Sequence, residues 1–401
     1  MRLANALLPQ GHRADIEIDG GLITAITPPG AGAPSDDVID LDGALLLPAF
    51  VEGHIHLDKT HWGAPRLPHI DAGSVRERIA AERVARHRVA LPIEARAAAL
   101  IRTLIANGTT RLRSHVDIDN DVKLDNLDAL LAVRETFRDW IDIQIVAFPQ
   151  SGVTTEPGAP DLLAAALAAG ADLIGGLDPR GFDGDVKGQL DILFGLAEKS
   201  GKGVDIHLHD GGEAGASQLR EIADRTIALG MQGQVAVSHA FALGTLTPEV
   251  FDRTAALLAE ARVAIMTSCQ PSAPVPPVKA SRARGVKIFA GSDNIRDCWS
   301  PYGNGDMLDR AAIIAIRHEM YSDSDLETAF ALATREADEV LGSPRRGLRV
   351  GAVADLVAVR CASVADAVIA RPPRALVLRG GRVAAENGGL AANIPYGAEA
   401  A

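Results

Sequence analysis

The chain has 401 residues, with 40 Lys and Arg against 52 Asp and Glu, a formal net charge of −12. That balance argues against a nucleic-acid footprint and a polybasic membrane anchor; 47% hydrophobic and 23% charged residues is the composition of a soluble globular protein. Cys269, Cys298 and Cys361 lack C-x-x-C spacing, which argues against a disulfide framework and a thiolate zinc site and favours a reducing, cytoplasmic setting. Along the chain, residues 1–48 carry an alternating Ala14-Asp15-Ile16-Glu17-Ile18 run, Gly20-Gly21 and a second alternating run, the pattern of a hairpin. No apolar stretch has the length of a secretory or membrane-spanning segment. Eight short aliphatic runs follow at 46–56, 110–118, 142–150, 173–179, 204–210, 234–240, 262–269 and 286–294, separated by segments of helical spacing. This alternation predicts an α/β chain with a (β/α)8 TIM barrel over residues 49–343. Residues 344–401 return to short strands, so a small β-sandwich built from both termini is expected, with the tail from Asn387 poorly ordered.

In such a barrel the chemistry gathers at the C-terminal ends of the strands. Five of the eleven histidines fall there: His54 and His56 in run one, His207 and His209 in run five, and His239 in run six. The i, i+2 spacing of His54 and His56 points both imidazoles to one side of a strand, where they can share a metal ion. His207 or His209 can supply a third nitrogen and Asp293 an oxygen, leaving a position open for water, whose pKa the ion lowers toward neutrality. Run four ends Gly175-Gly176-Leu177-Asp178, without Glu or Lys to bridge a second metal, so one divalent ion is expected. Asp210 is expected to carry the proton between water and a departing amine, its structural alternative being to fix a loop. His239 is expected to orient the nucleophile or polarise the substrate; with Asp293 these two form the catalytic assignment.

The stretch Leu46-Leu47-Pro48-Ala49-Phe50-Val51-Glu52-Gly53-His54-Ile55-His56-Leu57-Asp58 resembles the first-strand signature of the amidohydrolase superfamily, in its cytosine deaminase branch. Arg113-Ser114-His115-Val116-Asp117, Ile145-Val146-Ala147-Phe148-Pro149-Gln150, Ser238-His239 and Asp293 followed by Trp299 extend the resemblance along almost the whole chain. The resemblance implies zinc or iron ligated by His54, His56, His207 and Asp293. It also implies that Gln150 hydrogen-bonds a pyrimidine-like ring and that Trp299 forms a pocket wall. Three departures stand out, with Asp210 where the branch carries Glu, Asn294 where it carries Asp, and Lys59 where it has no lysine. Lys59 is expected to bring positive charge to the mouth unless it pairs with Asp58. Lys59 and Asn294 then suit a ring richer in carbonyl oxygens, or partly anionic, better than neutral cytosine, as on the N-isopropylammelide isopropylaminohydrolase side of the family.

The arginine-rich segment from Ser74 to Arg102, with Glu77, Glu82 and Glu94 interleaved, reads as a solvated helix face or subunit contact. Gly211-Gly212-Glu213-Ala214-Gly215 reads as a flexible active-site loop. The expected activity is a mononuclear aminohydrolase acting on a small nitrogen heterocycle, with a homo-oligomer as the candidate assembly. The alternatives are a cyclic-amide hydrolase of the same superfamily and a catalytically silent metal- or heterocycle-binding protein.

Overall fold

The computed structural model describes residues 1–32, 36–69, 72–342 and 347–397. The eight expected runs form eight strands in one parallel sheet: β1 (Phe50–Ile55), β2 (Thr109–Asp117), β3 (Asp142–Phe148), β4 (Leu173–Leu177), β5 (Gly203–His207), β6 (Val235–Ser238), β7 (Ala264–Thr267) and β8 (Ile288–Ala290). Each pairs in parallel with the next. The ring closes where the chain leaving β8 meets β1. There the Asp293 N–H donates to His54 O at 2.8 Å, and Ile55 and Asp293 form a parallel bridge. Two glycines permit this seam. A Cβ on Gly53 would sit 2.4 Å from Ala290 O, and one on Gly291 would sit 2.6 Å from the Cβ of His54.

Both termini build a second, nine-stranded sheet. Its order runs Gly389–Leu390, Arg382–Glu386, Arg374–Arg379, Leu356–Val359, Leu45–Pro48, Arg2–Leu7, Arg13–Asp19, Leu22–Thr27, with Val38–Asp40 pairing alongside Arg2–Leu7. Strand alternation divides its side chains. Leu3, Ile16, Leu46, Leu356 and Leu378 form its own core, while Leu45, Leu47, Val357, Val359 and Val377 join the barrel core. The first apolar run is therefore two strands, since Leu45–Pro48 pairs antiparallel to Leu356–Val359 and the barrel begins at Phe50. The unbroken apolar sequence from Leu45 to Val51 hides this break from hydropathy alone.

Two expectations are corrected. The segment after Asn387 forms the strand Gly389–Leu390 against Arg382–Glu386, and Arg102 donates to the carbonyls of Ile394 at 2.9 Å and Pro395 at 2.7 Å. Gly211 to Gly215 is no loose loop, because Gly211 caps and Gly212 starts the helix Gly212–Ala228. Gly215 has no room for a Cβ, which would lie 2.0 Å from Asp210 O. The boundary expected at 343–344 lies outside the described residues. No helix among the described residues is long and apolar enough to cross a membrane.

Candidate active site

β1 delivers His54 and the following His56 to the barrel mouth, β5 ends on His207, and the turn after β8 carries Asp293. One ligand atom from each of these four buried residues lies within 4.8 Å of all the others. His54 Nε2 and His56 Nε2 are 3.4 Å apart and lie 3.5 and 3.3 Å from Asp293 Oδ1. Two ligands about 2.1 Å from one tetrahedral ion are separated by roughly 3.4 Å, so this spacing fits a shared metal ion. Both ring nitrogens of His207, fully buried, lack any partner among the described residues, as expected of a ligand side chain. His209 is turned away, its Nδ1 held by Asp178 Oδ2 at 2.8 Å, which leaves His207 in the cluster.

Protonation states suit ligation, which requires neutral imidazole and ionised carboxylate. Burial, reinforced by neighbouring histidines, pushes His207 well below the ordinary histidine range, and burial also lowers His56. For Asp293 burial acts upward, yet His239 and the hydrogen-bonded His54 and His56 outweigh it and hold the carboxyl well below its usual value. The tautomer of His54 is fixed by a relay. Ser238 Oγ donates to Asp205 Oδ1 at 2.9 Å, so it accepts from His54 Nδ1 at 2.9 Å and leaves Nε2 free to ligate. Arg113 pairs with Asp205 at 2.8 Å. On the other side, Gln270 Nε2 donates to Asp293 Oδ2 at 2.8 Å. Beneath the cluster, buried Glu52 accepts the backbone N–H groups of His54 at 3.2 Å and Ser292 at 2.7 Å.

The residues leaving β4, β6, β7 and β8 include Asp178, His239, Cys269 and Asp293 at positive φ of 33°, 73°, 51° and 62°. Such non-glycine conformations cost about 1–3 kcal/mol each and persist only where the surroundings impose them. Here they set His239 beside Asp293 and Asp178 against His209. His239 stacks on His209 with centroids 4.6 Å apart, and its Nε2 lies 4.0 Å from Asp293 Oδ2. Burial keeps His239 well below its usual pKa. For His209 burial acts in the same direction, but the Asp178 carboxylate overcomes it and raises the imidazole. Asp210 is half-buried and accepts from the Gly181 N–H at 3.0 Å and Gln218 Nε2 at 2.8 Å, with no hydrogen bond to the four clustered residues.

Three of the four expected substrate residues, Gln150, Lys59 and Trp299, meet at a residue whose segment reads in sequence as a solvated face or subunit contact. Glu82, on the helix Val75–Ala85, is buried, not part of a solvated face. Its Oε2 accepts from Trp299 Nε1 at 2.6 Å, Gln150 Nε2 at 3.1 Å and Lys59 Nζ at 3.3 Å. Lys59 also lies 3.1 Å from Asp117, so its charge is balanced by two carboxylates other than Asp58. Gln150 donates to a side chain, and its amide has no backbone partner among the described residues. Asn294 Nδ2 donates to Asp297 Oδ2 at 2.7 Å. Beside this hub a cavity of about 380 Å³ is lined by Asp58, Lys59, Glu82, Arg86, Arg96 and Asp117 among others, though by none of the clustered ligand residues. Glu82, Asp178, Asp205, Gln270 and Asp297 were all missed from sequence. His115, quoted only as a motif residue, is fully buried and stacks on His54 at 3.9 Å.

Comparison with known proteins agrees with this architecture. The model of the amidohydrolase family matches residues 37–385. The chain is 33% identical over 377 residues to N-isopropylammelide isopropyl amidohydrolase of Pseudomonas sp. (strain ADP), covering 92% of this chain and 93% of that protein. It superposes with a TM-score of 0.94 and 46% identity on the crystal structure of N-isopropylammelide isopropylaminohydrolase from Burkholderia multivorans ATCC 17616, covering 97% and 99% of the two chains. Against 5-methylcytosine deaminase from Klebsiella pneumoniae liganded with 5-fluorocytosine the TM-score is 0.84 at 28% identity, covering 96% and 97%. The chain belongs to the amidohydrolase family and is a hydrolase acting on C–N bonds.

Proposed function

We propose that the protein is a mononuclear aminohydrolase that replaces an exocyclic amino or alkylamino group on a nitrogen-heteroaromatic ring, cytosine-, ammelide- or pterin-like, with oxygen. The observation that carries this reading is the four-residue ligand cluster at the same barrel mouth as Gln150, Trp299 and Lys59, which converge on Glu82. Similarity to proteins named for ammelide and methylcytosine substrates supports it. His54, His56, His207 and Asp293 would hold one zinc or iron ion, between which imidazole and carboxylate do not discriminate. When bound, that ion supplies Lewis-acid activation of water at neutral pH.

The chain's own groups do the rest. His239, kept well below its usual pKa by burial and with Nε2 turned to Asp293 at 4.0 Å, holds the attacking water or the polarised ring by a hydrogen bond. Gln150 and Asn294 read the ring edge, Trp299 walls the pocket, and Lys59 faces an oxygen-rich ring. Asp210 takes the proton from water and returns it to the leaving nitrogen, so water and the ring amine become a ring oxo group and a free amine. The His209–Asp178 pair competes with Asp210 for this role, because it stacks directly on His239 whereas Asp210 is engaged by Gly181 and Gln218. The test is release of ammonia or alkylamine by zinc- or iron-loaded protein over cytosine, isocytosine, N-substituted ammelides and pterins. Amine release from at least one ring is expected. No amine release, with opening of cyclic amides instead, would overturn the reading. Asp210→Asn that keeps both metal and turnover would transfer the proton role to the His209–Asp178 pair.

A further inference from the structure

Both amide side chains proposed to meet the substrate have their NH2 ends held by buried carboxylates, Gln150 by Glu82 and Asn294 by Asp297. An ionised carboxylate only accepts, so the Gln150 nitrogen must face Glu82, and the Asn294 nitrogen must face Asp297 above about pH 7, where that carboxyl is ionised, with each carbonyl pointing elsewhere. Neither Gln150 Oε1 nor Asn294 Oδ1 has a hydrogen-bond partner among the described residues, and neither is sealed from solvent. Both carboxylates are themselves tightly held. Glu82 also accepts from Trp299 Nε1 and Lys59 Nζ, and Asp297 Oδ1 accepts the N–H groups of Trp299 at 2.8 Å and Ser300 at 2.9 Å. Trp299 thus links the two carboxylates into one frame.

We infer that Glu82 and Asp297 are specificity-determining positioning residues: by fixing both amides nitrogen-inward, they present two carbonyl acceptors to the ring and select heterocycles in the lactam form, with N–H at that edge. Without them either amide can rotate and offer its NH2, which suits a ring nitrogen with a free lone pair. An acceptor left unpaired in a closed site penalises the wrong ligand more than a good hydrogen bond rewards the right one. The inference rests on the heterocycle reading above but depends on a different observation, the orientation of the amides.

The probe is 1,3,5-triazine-2,4,6-trione, an unreactive ring whose edges carry N–H when neutral and lose it on ionisation. Its Kd for zinc-loaded protein is measured by calorimetry on both sides of the ring's own pKa, titrated free in the same buffers. Wild type should bind the neutral form at least tenfold more tightly than the anion. Glu82→Gln and Asp297→Asn, nearly isosteric, should weaken binding of the neutral form at least tenfold and reduce that preference. KM for a turned-over lactam substrate should rise in parallel, with kcat changing less than threefold. The swap Glu82→Gln with Gln150→Glu moves the NH2 to position 82 and the acceptor to position 150, and should regain most of the lost affinity. A purely structural role would not produce that rescue. The inference is overturned if single variants with wild-type zinc content and melting temperature keep the wild-type preference, if the swap binds no better than Glu82→Gln, or if wild type does not bind the neutral ring. Absence of amine release from every heterocycle is a failure of the proposed function and is read separately from these affinities.

Discussion

Three imidazoles and a carboxylate within 4.8 Å of one another could hold an ion between them, and burial lowers the pKa of His207 and His56, the direction that ligation requires. The relay behind His54 makes a quantitative prediction. Ser238→Ala removes the acceptor for His54 Nδ1 and should lower zinc affinity by about 10–100-fold, measured by competition with a chelator; unchanged affinity would show that the relay does not set the tautomer. Asp297 makes a second. Burial pushes its carboxyl up to about 7 despite hydrogen bonds from Asn294, Ser300 and Trp299. The folded state thus keeps a proton that the unfolded chain has already released above about pH 4. Its contribution to stability is full below the unfolded pKa and is lost as pH rises to about 7, with a slope of at most about 1.4 kcal/mol per pH unit. Denaturant unfolding of wild type and Asp297→Asn between pH 5 and 8 should show the stability difference moving against wild type as pH rises, then flattening above about 7.5. Parallel curves would remove Asp297 from the balance.

At the scale of elements, the seam between β1 and β8 couples closure of the barrel to the ligand cluster, because the same turn that supplies Asp293 hydrogen-bonds His54. A Cβ at Gly291 would meet His54 Cβ at 2.6 Å, its N at 2.8 Å and its O at 2.9 Å, and these are largely backbone atoms that cannot swing aside. Gly291→Ala should therefore cost about 1–3 kcal/mol and lower metal occupancy with it, read by thermal melts with and without zinc. A destabilised variant with full zinc affinity would separate the seam from the site. The strands and their histidines were legible in the sequence because an aliphatic run ending in a polar residue is a local pattern. The helix Val75–Ala85 was not. Its Arg and Glu mixture reads as solvent-facing, yet Ile79 packs with Phe148, Leu177 and Phe182, and Glu82 finds partners 68 and 217 residues away. Asp178 and Asp205 escaped for a related reason: their roles lie in contacts with His209 and with Ser238 and Arg113, which no spacing along one strand encodes.

Across the whole molecule the chemistry and the terminal sheet occupy opposite ends of the barrel strands. The clustered histidines and Asp293 lie at the C-terminal ends, whereas the sheet attaches at the N-terminal ends. There Ala49 N donates to Asp355 O, Phe50 N to Gly108 O, and Arg379 pairs with Asp142 at the start of β3 at 2.5 Å. Arg374 reinforces the junction by donating to Asn107 O at 2.9 Å and pairing with Asp306. The last described residues continue this grip. Ile394 is buried, and Arg102 on the helix Ile93–Ala106 spans its carbonyl and that of Pro395. Deleting residues 388–401 removes one edge strand, the burial of an isoleucine worth about 1.5–3 kcal/mol, and both acceptors of Arg102. None of these groups touches the ligand cluster or the amide frame. The truncated chain should melt several degrees lower in calorimetry while its zinc content and kcat/KM stay within about twofold of the full chain. A matched loss of kcat/KM at temperatures well below melting would mean that the terminal sheet sets the geometry of the mouth across the length of the barrel, and that the two ends of the strands do not act independently.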